Sequence, residues 1–229
     1  MTESPAPSRG RLYVIAAPSG AGKTSLVKAL RERRPELEVS VSYTTRKPRA
    51  TEVDGRDYSF ITPERFRELL AEDAFLEHAD VFDNHYGTSR ERVERALDAG
   101  RDVILEIDWQ GARQVRARMP DCTSIFILPP SRAELERRLR ARRTDDDAVI
   151  ARRLRDAVED MSHSGEFDHV VVNDDFDAAA AALERIRGYI ADGAASGAEL
   201  VVDGRVDAAT GAPFTVPGPV FTAPVDPLP

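Results

Sequence analysis

The run Leu12-Tyr13-Val14-Ile15-Ala16-Ala17-Pro18-Ser19-Gly20-Ala21-Gly22-Lys23-Thr24-Ser25 constrains this chain more than any other. A short apolar segment with the composition of a buried strand leads into small residues ending in Gly-Lys-Thr. A helix-compatible segment, Leu26 to Leu30, follows at once. Strand, small-residue loop and helix in that order is the layout of a phosphate-binding P-loop. Small residues let successive backbone N–H groups turn toward an anion, and the following helix adds partial positive charge at the same place. Pro18, Ser19, Gly20, Ala21, Gly22, Lys23, Thr24 and Ser25 are therefore assigned to a nucleoside triphosphate. Lys23 reaches the β- and γ-phosphates, and the Thr24 hydroxyl serves Mg²⁺. The usual opening Gly is here Ala17, which is acceptable only if that position needs no positive φ.

The chain has 229 residues, enough for one sizeable α/β domain with insertions. Its net charge of −8 argues against bulk attraction to nucleic acid or anionic membrane. No stretch approaches membrane-spanning length. Cys122, the single cysteine, supports neither a disulfide framework nor a cysteine metal site, which fits a reducing, cytoplasmic compartment. His78, His85, His163 and His169 lack metal-ligand spacing and read as structural.

Buried strands are predicted at 102–108, 123–128 and 169–173, alternating with helices. That rhythm implies a parallel sheet with ligands at the C-terminal strand ends, where the P-loop, Glu106, Asp108 and Asn173 collect. Thr62-Pro63 starts a helix, Thr as cap and Pro at its first position, with Phe66, Leu69 and Leu70 on one face. Ser131 has capping-box spacing with Glu134 and opens a basic helix. Between about Glu38 and Arg90 the rhythm breaks. Glu38–Ser42 reads as a half-buried strand, Tyr43–Arg49 as a basic segment outside helix or core strand, and Asp54-Gly55 as a hairpin turn. Phe75–Ala79 and Val81-Phe82 read as short strands, and Asn84–Thr88 as a turn.

Seven motifs in order make the chain resemble a bacterial guanylate kinase, from about Arg11 to Tyr189. They are Ala17–Thr24, Val41–Arg49 (Val-Ser-Tyr-Thr-Thr-Arg-Lys-Pro-Arg), Gly55–Phe60, Phe75–Ala79, Tyr86–Thr88, Ile107–Gly111 and Val172–Asp175. Apart from the P-loop each is weak alone; the ordered set is specific. The resemblance implies an α/β fold: a P-loop core with a parallel sheet flanked by helices, a small inserted mixed α/β subdomain for GMP, and a helical lid. The corresponding division is 1–10 as a disordered lead, 11–193 as the domain and 194–229 as a Pro-rich tail. Within the domain, 11–37, 101–130 and 156–193 form the core, 38–90 the GMP subdomain and 131–155 the lid.

The implied activity is Mg²⁺-dependent transfer of the ATP γ-phosphoryl group to GMP, and to dGMP, in purine nucleotide metabolism. Arg46, Arg49, Tyr58 and Tyr86 would grip the GMP phosphate. Ser42, Glu77, Thr88 and Asp108 would read guanine, with Gly87 and Glu106 completing the GMP set. Lys23, Arg46 and the lid arginines Arg142 and Arg153 would neutralise the transferring group, and Asn173 would lie near the adenine of ATP. The residue chemistry agrees: a carboxylate such as Glu77 accepts from guanine N1–H and N2–H together and is left unpaired by adenine. Read alone, Tyr58 and Tyr86 are ordinary half-buried aromatics, and Arg137, Arg138, Arg140, Arg142 and Arg143 are mostly a solvated helix face. Glu106 stands where the family often has Asp, and Ala141-Arg142-Arg143 where Gly-Arg-Gly is common. The rival reading is a guanylate-kinase-like peptide-binding module without catalysis; intact Lys23 and Thr24 favour the enzyme. ATP and GMP are the expected partners, without nucleic acid or membrane, and self-association is left open.

Overall fold

The computed structural model describes residues 9–81, 83–141 and 146–192. Residues 1–8 of the 1–10 lead, Arg142, Arg143 and the 194–229 tail, with the hairpin foreseen near Asp203-Gly204, lie outside the described residues; the last two residues of the lead are tied down, Arg9 paired with Asp98 and the Gly10 N–H donating to the Leu97 carbonyl. The main sheet is five-stranded and parallel: β1 (Leu12–Ala16), β2 (Glu38–Val39), β7 (Val103–Glu106), β8 (Thr123–Leu128) and β9 (His169–Val172), in the order β2-β7-β1-β8-β9. A second, mixed sheet has the order β4-β3-β6-β5, from β3 (Tyr43–Thr44), β4 (Ser59–Phe60), β5 (Phe75–Val81) and β6 (Asn84–Ser89). The chain divides into two compact units. One is drawn from Met1–Ile15 and Pro35–Thr123, the other from Ala16–Arg34 and Ser124–Pro229.

In the first unit β1 pairs with β7 in register Leu12↔Val103 to Ile15↔Glu106, and β2 pairs with β7 on its other side. All of β1 is buried, as a continuous apolar run in a parallel sheet requires. Three helices complete this unit: α2 (Pro63–Ala71), α3 (Arg90–Asp98) and α4 (Trp109–Arg118). Each is capped by the side chain before it. Thr62 accepts from the Arg65 N–H, Ser89 from Arg92 and Asp108 from Gly111. Of the face foreseen on α2, Phe66 is buried and stacks on Phe75, while Leu70 is exposed.

The small sheet departs from expectation in three ways. Asn84–Thr88 is not a turn: it is the body of β6, paired antiparallel with β5 on one side and β3 on the other. The reversal falls earlier, where Asp83 adopts φ 61°. Tyr43–Thr44 is a strand of this sheet, whereas the strand foreseen over Glu38–Ser42 is confined to Glu38–Val39 and belongs to the main sheet. Asp54-Gly55 makes a compact turn but no hairpin, because β3 and β4 run parallel. Backbone pairing from several strands outweighs turn-like local composition here.

The second unit holds α1 (Lys23–Arg33), α5 (Arg132–Ala141), α6 (Asp147–Ser162) and α7 (Phe176–Asp192) with β8 and β9. Leu26, Val27 and Leu30 of α1 are buried, and α1 packs along α7 with Arg34 bonded to Glu184 at 2.8 Å. Helices α5 and α6 share their own core of Leu135, Leu139, Ile150, Leu154 and Ala157. Burial of each large aliphatic there is worth about 1.5–3 kcal/mol, against about 0–1 for an exposed pair such as Arg140–Asp147. Apolar packing therefore holds this helix pair together.

Candidate active site

The phosphate loop lies wholly in the second unit. Its two left-handed positions are Gly20 (φ 95°) and Gly22 (φ 98°). Ala17 is not among the residues with positive φ, so the departure there carries no backbone strain. Ala21 N–H donates to the Pro18 carbonyl at 3.1 Å, closing a turn inside the loop. Gly22 caps α1, whose first turn has no acidic residue and whose start has no side-chain cap. No carboxylate of its own first turn therefore competes for the N-terminal amides of α1, an arrangement that suits a bound phosphate. Pro18 is buried, Lys23 half-buried, and Ser19, Thr24 and Ser25 are exposed.

Asn173, just beyond β9, is buried, and its side-chain amide donates to the Ala21 carbonyl at 2.7 Å. Its own carbonyl accepts from Arg138 of α5 at 3.0 Å, and Arg138 is also bonded to Glu134. Leu135 and Leu139 stand where a Cβ on Gly20 would have to sit, 2.9 and 3.0 Å away. The loop is therefore braced from two directions by side chains of its own unit. Arg153 is half-buried on α6 beside buried Leu154.

The second group of residues lies wholly in the first unit. Glu77 and Thr88 are direct partners across β5 and β6, both buried, and the Thr88 hydroxyl donates to Glu77 Oε1 at 2.6 Å. A β-bulge between Phe75 and Glu77 shifts the register just before the carboxylate, so that Phe75, Leu76 and Glu77 are all buried in succession. Bulges of this kind re-aim a side chain beside a site. Glu77 Oε2 lies 3.0 Å from where a Cβ on Gly111 would stand, so a side chain there would crowd the carboxylate. Gln114 on α4 accepts from the His78 N–H at 3.1 Å and donates to the His78 carbonyl at 2.9 Å, fixing α4 against this strand. Gly111 and Gln114 were not singled out from the sequence beyond the motif that holds Gly111.

Arg46 donates from Nη1 and Nη2 to the two carboxylate oxygens of Glu52, each at 2.9 Å, and its guanidinium lies over Tyr58 and Phe60. The Arg49 N–H donates to Glu52 at 2.7 Å, while the exposed Arg49 side chain lies 3.8 Å from the same carboxylate. The hydrogen bond from Arg46, then that from the Arg49 amide, hold Glu52 down at about 2. Glu52 in turn raises the pKa of Arg46 beyond that of an ordinary arginine. Tyr58 packs edge-on to Tyr86, and burial, with Tyr86 next, pushes its phenol upward, keeping it a neutral donor. Arg92 lies over Tyr43 at 4.5 Å and donates to Ser59 Oγ at 2.7 Å. Glu52 and Arg92 are the partners that sequence reading missed; an acid in a polar loop carries no signal that distinguishes it from a solvated one.

The remaining assigned residues fall in the same unit. Ser42 is half-buried and its carbonyl accepts from the Ser59 N–H at 2.9 Å. Gly87 pairs with Tyr43 and His78, and a Cβ there would meet the Phe75 ring at 2.8 Å, so its place is explained by packing. Glu106 ends β7 opposite Ile15. Asp108 spends Oδ1 on the Gly111 N–H at 2.7 Å as the cap of α4.

Among the described residues, no group of three or more His, Cys, Asp and Glu could hold a metal ion. One exposed threonine hydroxyl at the head of α1 is a fitting donor set for Mg²⁺, which is usually held through phosphates and water with little protein ligation. Nor, among the described residues, is any helix long and apolar enough to cross a membrane.

Residues 9–188 match the family model described as guanylate kinase. Guanylate kinase of Alkalilimnicola ehrlichii is 60% identical over 177 residues, 77% of this chain and 87% of that protein. That of Methylococcus capsulatus is 58% identical over 179 residues, 78% and 88% respectively. That of Escherichia coli K12 is 55% identical over 181 residues, 78% and 87%. The crystal structure of guanylate kinase from Anaplasma phagocytophilum is similar with a TM-score of 0.63 and 34% identity, covering 83% of this chain and 89% of that one.

Proposed function

This chain belongs to the guanylate kinase family, and from that premise we propose that it transfers the γ-phosphoryl group of ATP to GMP, giving ADP and GDP. A phosphate oxygen of GMP attacks the γ-phosphorus, the bond from the β-bridging oxygen to that phosphorus breaks, and ADP leaves. The attacking oxygen is already anionic, so no general base is needed; positioning and charge neutralisation do the work.

In the donor half, the backbone of Pro18–Gly22 and the Lys23 ammonium hold the β- and γ-phosphates, and Thr24 gives its hydroxyl to Mg²⁺. Mg²⁺ bound with ATP offsets charge on the β- and γ-oxygens. Arg142 and Arg153 serve the transferring group, for which a planar guanidinium suits two oxygens at once. In the acceptor half, Arg46, Arg49, Tyr58 and Tyr86 bind the GMP phosphate. Glu77, with Ser42, Thr88 and Asp108, reads guanine. dGMP, which presents the same base and the same phosphate to these residues, is an acceptor too. Residues 38–90 form the GMP subdomain and 131–155 the lid, and the reaction belongs to purine nucleotide metabolism in the cytoplasm.

The observation that carries the choice of acceptor is the buried Glu77 carboxylate, held by Thr88 and given room by Gly111. It can accept from guanine N1–H and N2–H side by side. Adenine puts a lone pair at N1 and leaves the carboxylate repelled, a discrimination on the order of 10⁴-fold. The test is ³¹P NMR of the full chain with Mg-ATP and GMP: equal growth of ADP and GDP signals, abolished by EDTA, is expected. No GDP from folded protein overturns the reading.

A further inference from the structure

We propose that Asn173 is a positioning residue of the phosphate loop, acting through the Ala21–Gly22 peptide rather than on the base of the nucleotide. The inference rests on the reading of Pro18–Ser25 as the donor-phosphate site. Asn173 is 4% exposed, and each of its three named polar groups has a partner in the same unit. The backbone N–H donates to the Leu128 carbonyl at 2.8 Å, which anchors the residue to the end of β8. The carbonyl accepts from Arg138 at 3.0 Å. The side-chain amide donates to the Ala21 carbonyl at 2.7 Å.

The geometry of that last bond has a consequence for the loop. In a trans peptide the C=O and the following N–H point in opposite directions. With the Ala21 carbonyl turned onto Asn173, the Gly22 N–H is turned away from Asn173. That N–H stands one residue before α1, at the position from which loop amides wrap an anion. The amide is seated directly over Gly22: a Cβ at that residue would lie 2.4 Å from Asn173 Nδ2. Gly22 thus needs its missing side chain twice, once for φ 98° and once to admit Asn173. Arg138 extends the connection to α5, so the first lid helix is hydrogen-bonded to the residue that orients the loop.

The test separates a loop-positioning role from a base-reading one. Asn173→Asp keeps the shape but replaces the donor by an oxygen facing the Ala21 carbonyl; Asn173→Ala removes the group without burying a charge. Inorganic tripolyphosphate binding by calorimetry, and KM for ATP, inosine triphosphate and GMP, are measured on both. Affinity for tripolyphosphate and KM for both triphosphates worsen by the same factor, roughly tenfold, as for one lost buried hydrogen bond, while KM for GMP is unchanged. Loss confined to ATP, with inosine triphosphate and tripolyphosphate spared, makes Asn173 a base reader and overturns the proposal, as does no change at all. If neither variant folds, the unaltered protein decides: the Gly22 amide proton shifts downfield on adding tripolyphosphate, and an unmoved signal contradicts the proposal. Calorimetry and the amide shift need no turnover. A chain that binds tripolyphosphate in this way but does not phosphorylate GMP would defeat the proposed function and leave this inference standing.

Discussion

Arg46 grips Glu52 through both terminal guanidinium nitrogens, Nη1 to Oε2 and Nη2 to Oε1, each at 2.9 Å. Both side chains are less than a fifth exposed, and the guanidinium rests over the Tyr58 ring at 5.2 Å. The arginine proposed for the GMP phosphate is thus held in one orientation, with its rotamer freedom already lost. An anion that binds it then incurs less ordering cost.

Glu52→Gln removes the charge and one arm of the fork. If Glu52 orders Arg46 for phosphate, KM for GMP rises by roughly tenfold, the scale of one charge-assisted hydrogen bond, and KM for ATP does not move. Steady-state kinetics with each substrate varied in turn reads this. A lower KM for GMP would mean that Glu52 competes with phosphate rather than preparing the site for it.

The same pair has a pH signature. Arg46, then the Arg49 amide, hold Glu52 at about 2, below the about 4.3 of an unfolded glutamate. A depressed carboxylate pKa contributes stability that is complete above the unfolded value and is lost as pH falls toward the folded one. The difference in Tm between the native chain and Glu52→Gln is therefore full at pH 6, shrinks below about 4.3 and is nearly gone by about 2. Thermal melts across that window check it; a difference independent of pH would show that the carboxylate's charge is not what matters.

Gly22→Ala tests the loop backbone. An L residue at φ 98° costs roughly 1–2 kcal/mol, and the new Cβ must also displace Asn173. Chemical denaturation should show at least that loss, with a raised KM for ATP. Ala17→Gly is the contrast: Ala17 has no positive φ, so adding the usual glycine relieves nothing and changes stability by less than about 1 kcal/mol, unfavourably.

The sequence was most legible where chemistry is local. The P-loop needs contiguous small residues, and the caps Thr62 and Ser131 each act within three residues, so composition and spacing suffice. It misled where neighbours across space decide. Asn84–Thr88 has the composition of a turn but is a strand because β5 and β3 offer backbone partners on both sides. Gly87 is explained by the Phe75 ring, twelve residues away in sequence and touching only in the fold. Arg138 looks like its basic neighbours Arg137 and Arg140, and only the carbonyl of Asn173 sets it apart. Glu77 was recognised through its motif, but the bulge that places it and the gap left by Gly111 were not readable.

The proposed choice of acceptor rests on Glu77. ADP release from Mg-ATP is to be measured with GMP, dGMP, AMP, CMP and UMP in parallel, on the native chain and on Glu77→Gln, with both shown to be folded by their melts. Release is expected with GMP and dGMP alone, with a fall in kcat/KM for GMP of at least roughly 10²-fold in the variant, since a neutral amide cannot accept from both guanine N–H groups. Equal turnover of AMP by the native chain, or unchanged GMP kinetics in the variant, would contradict it.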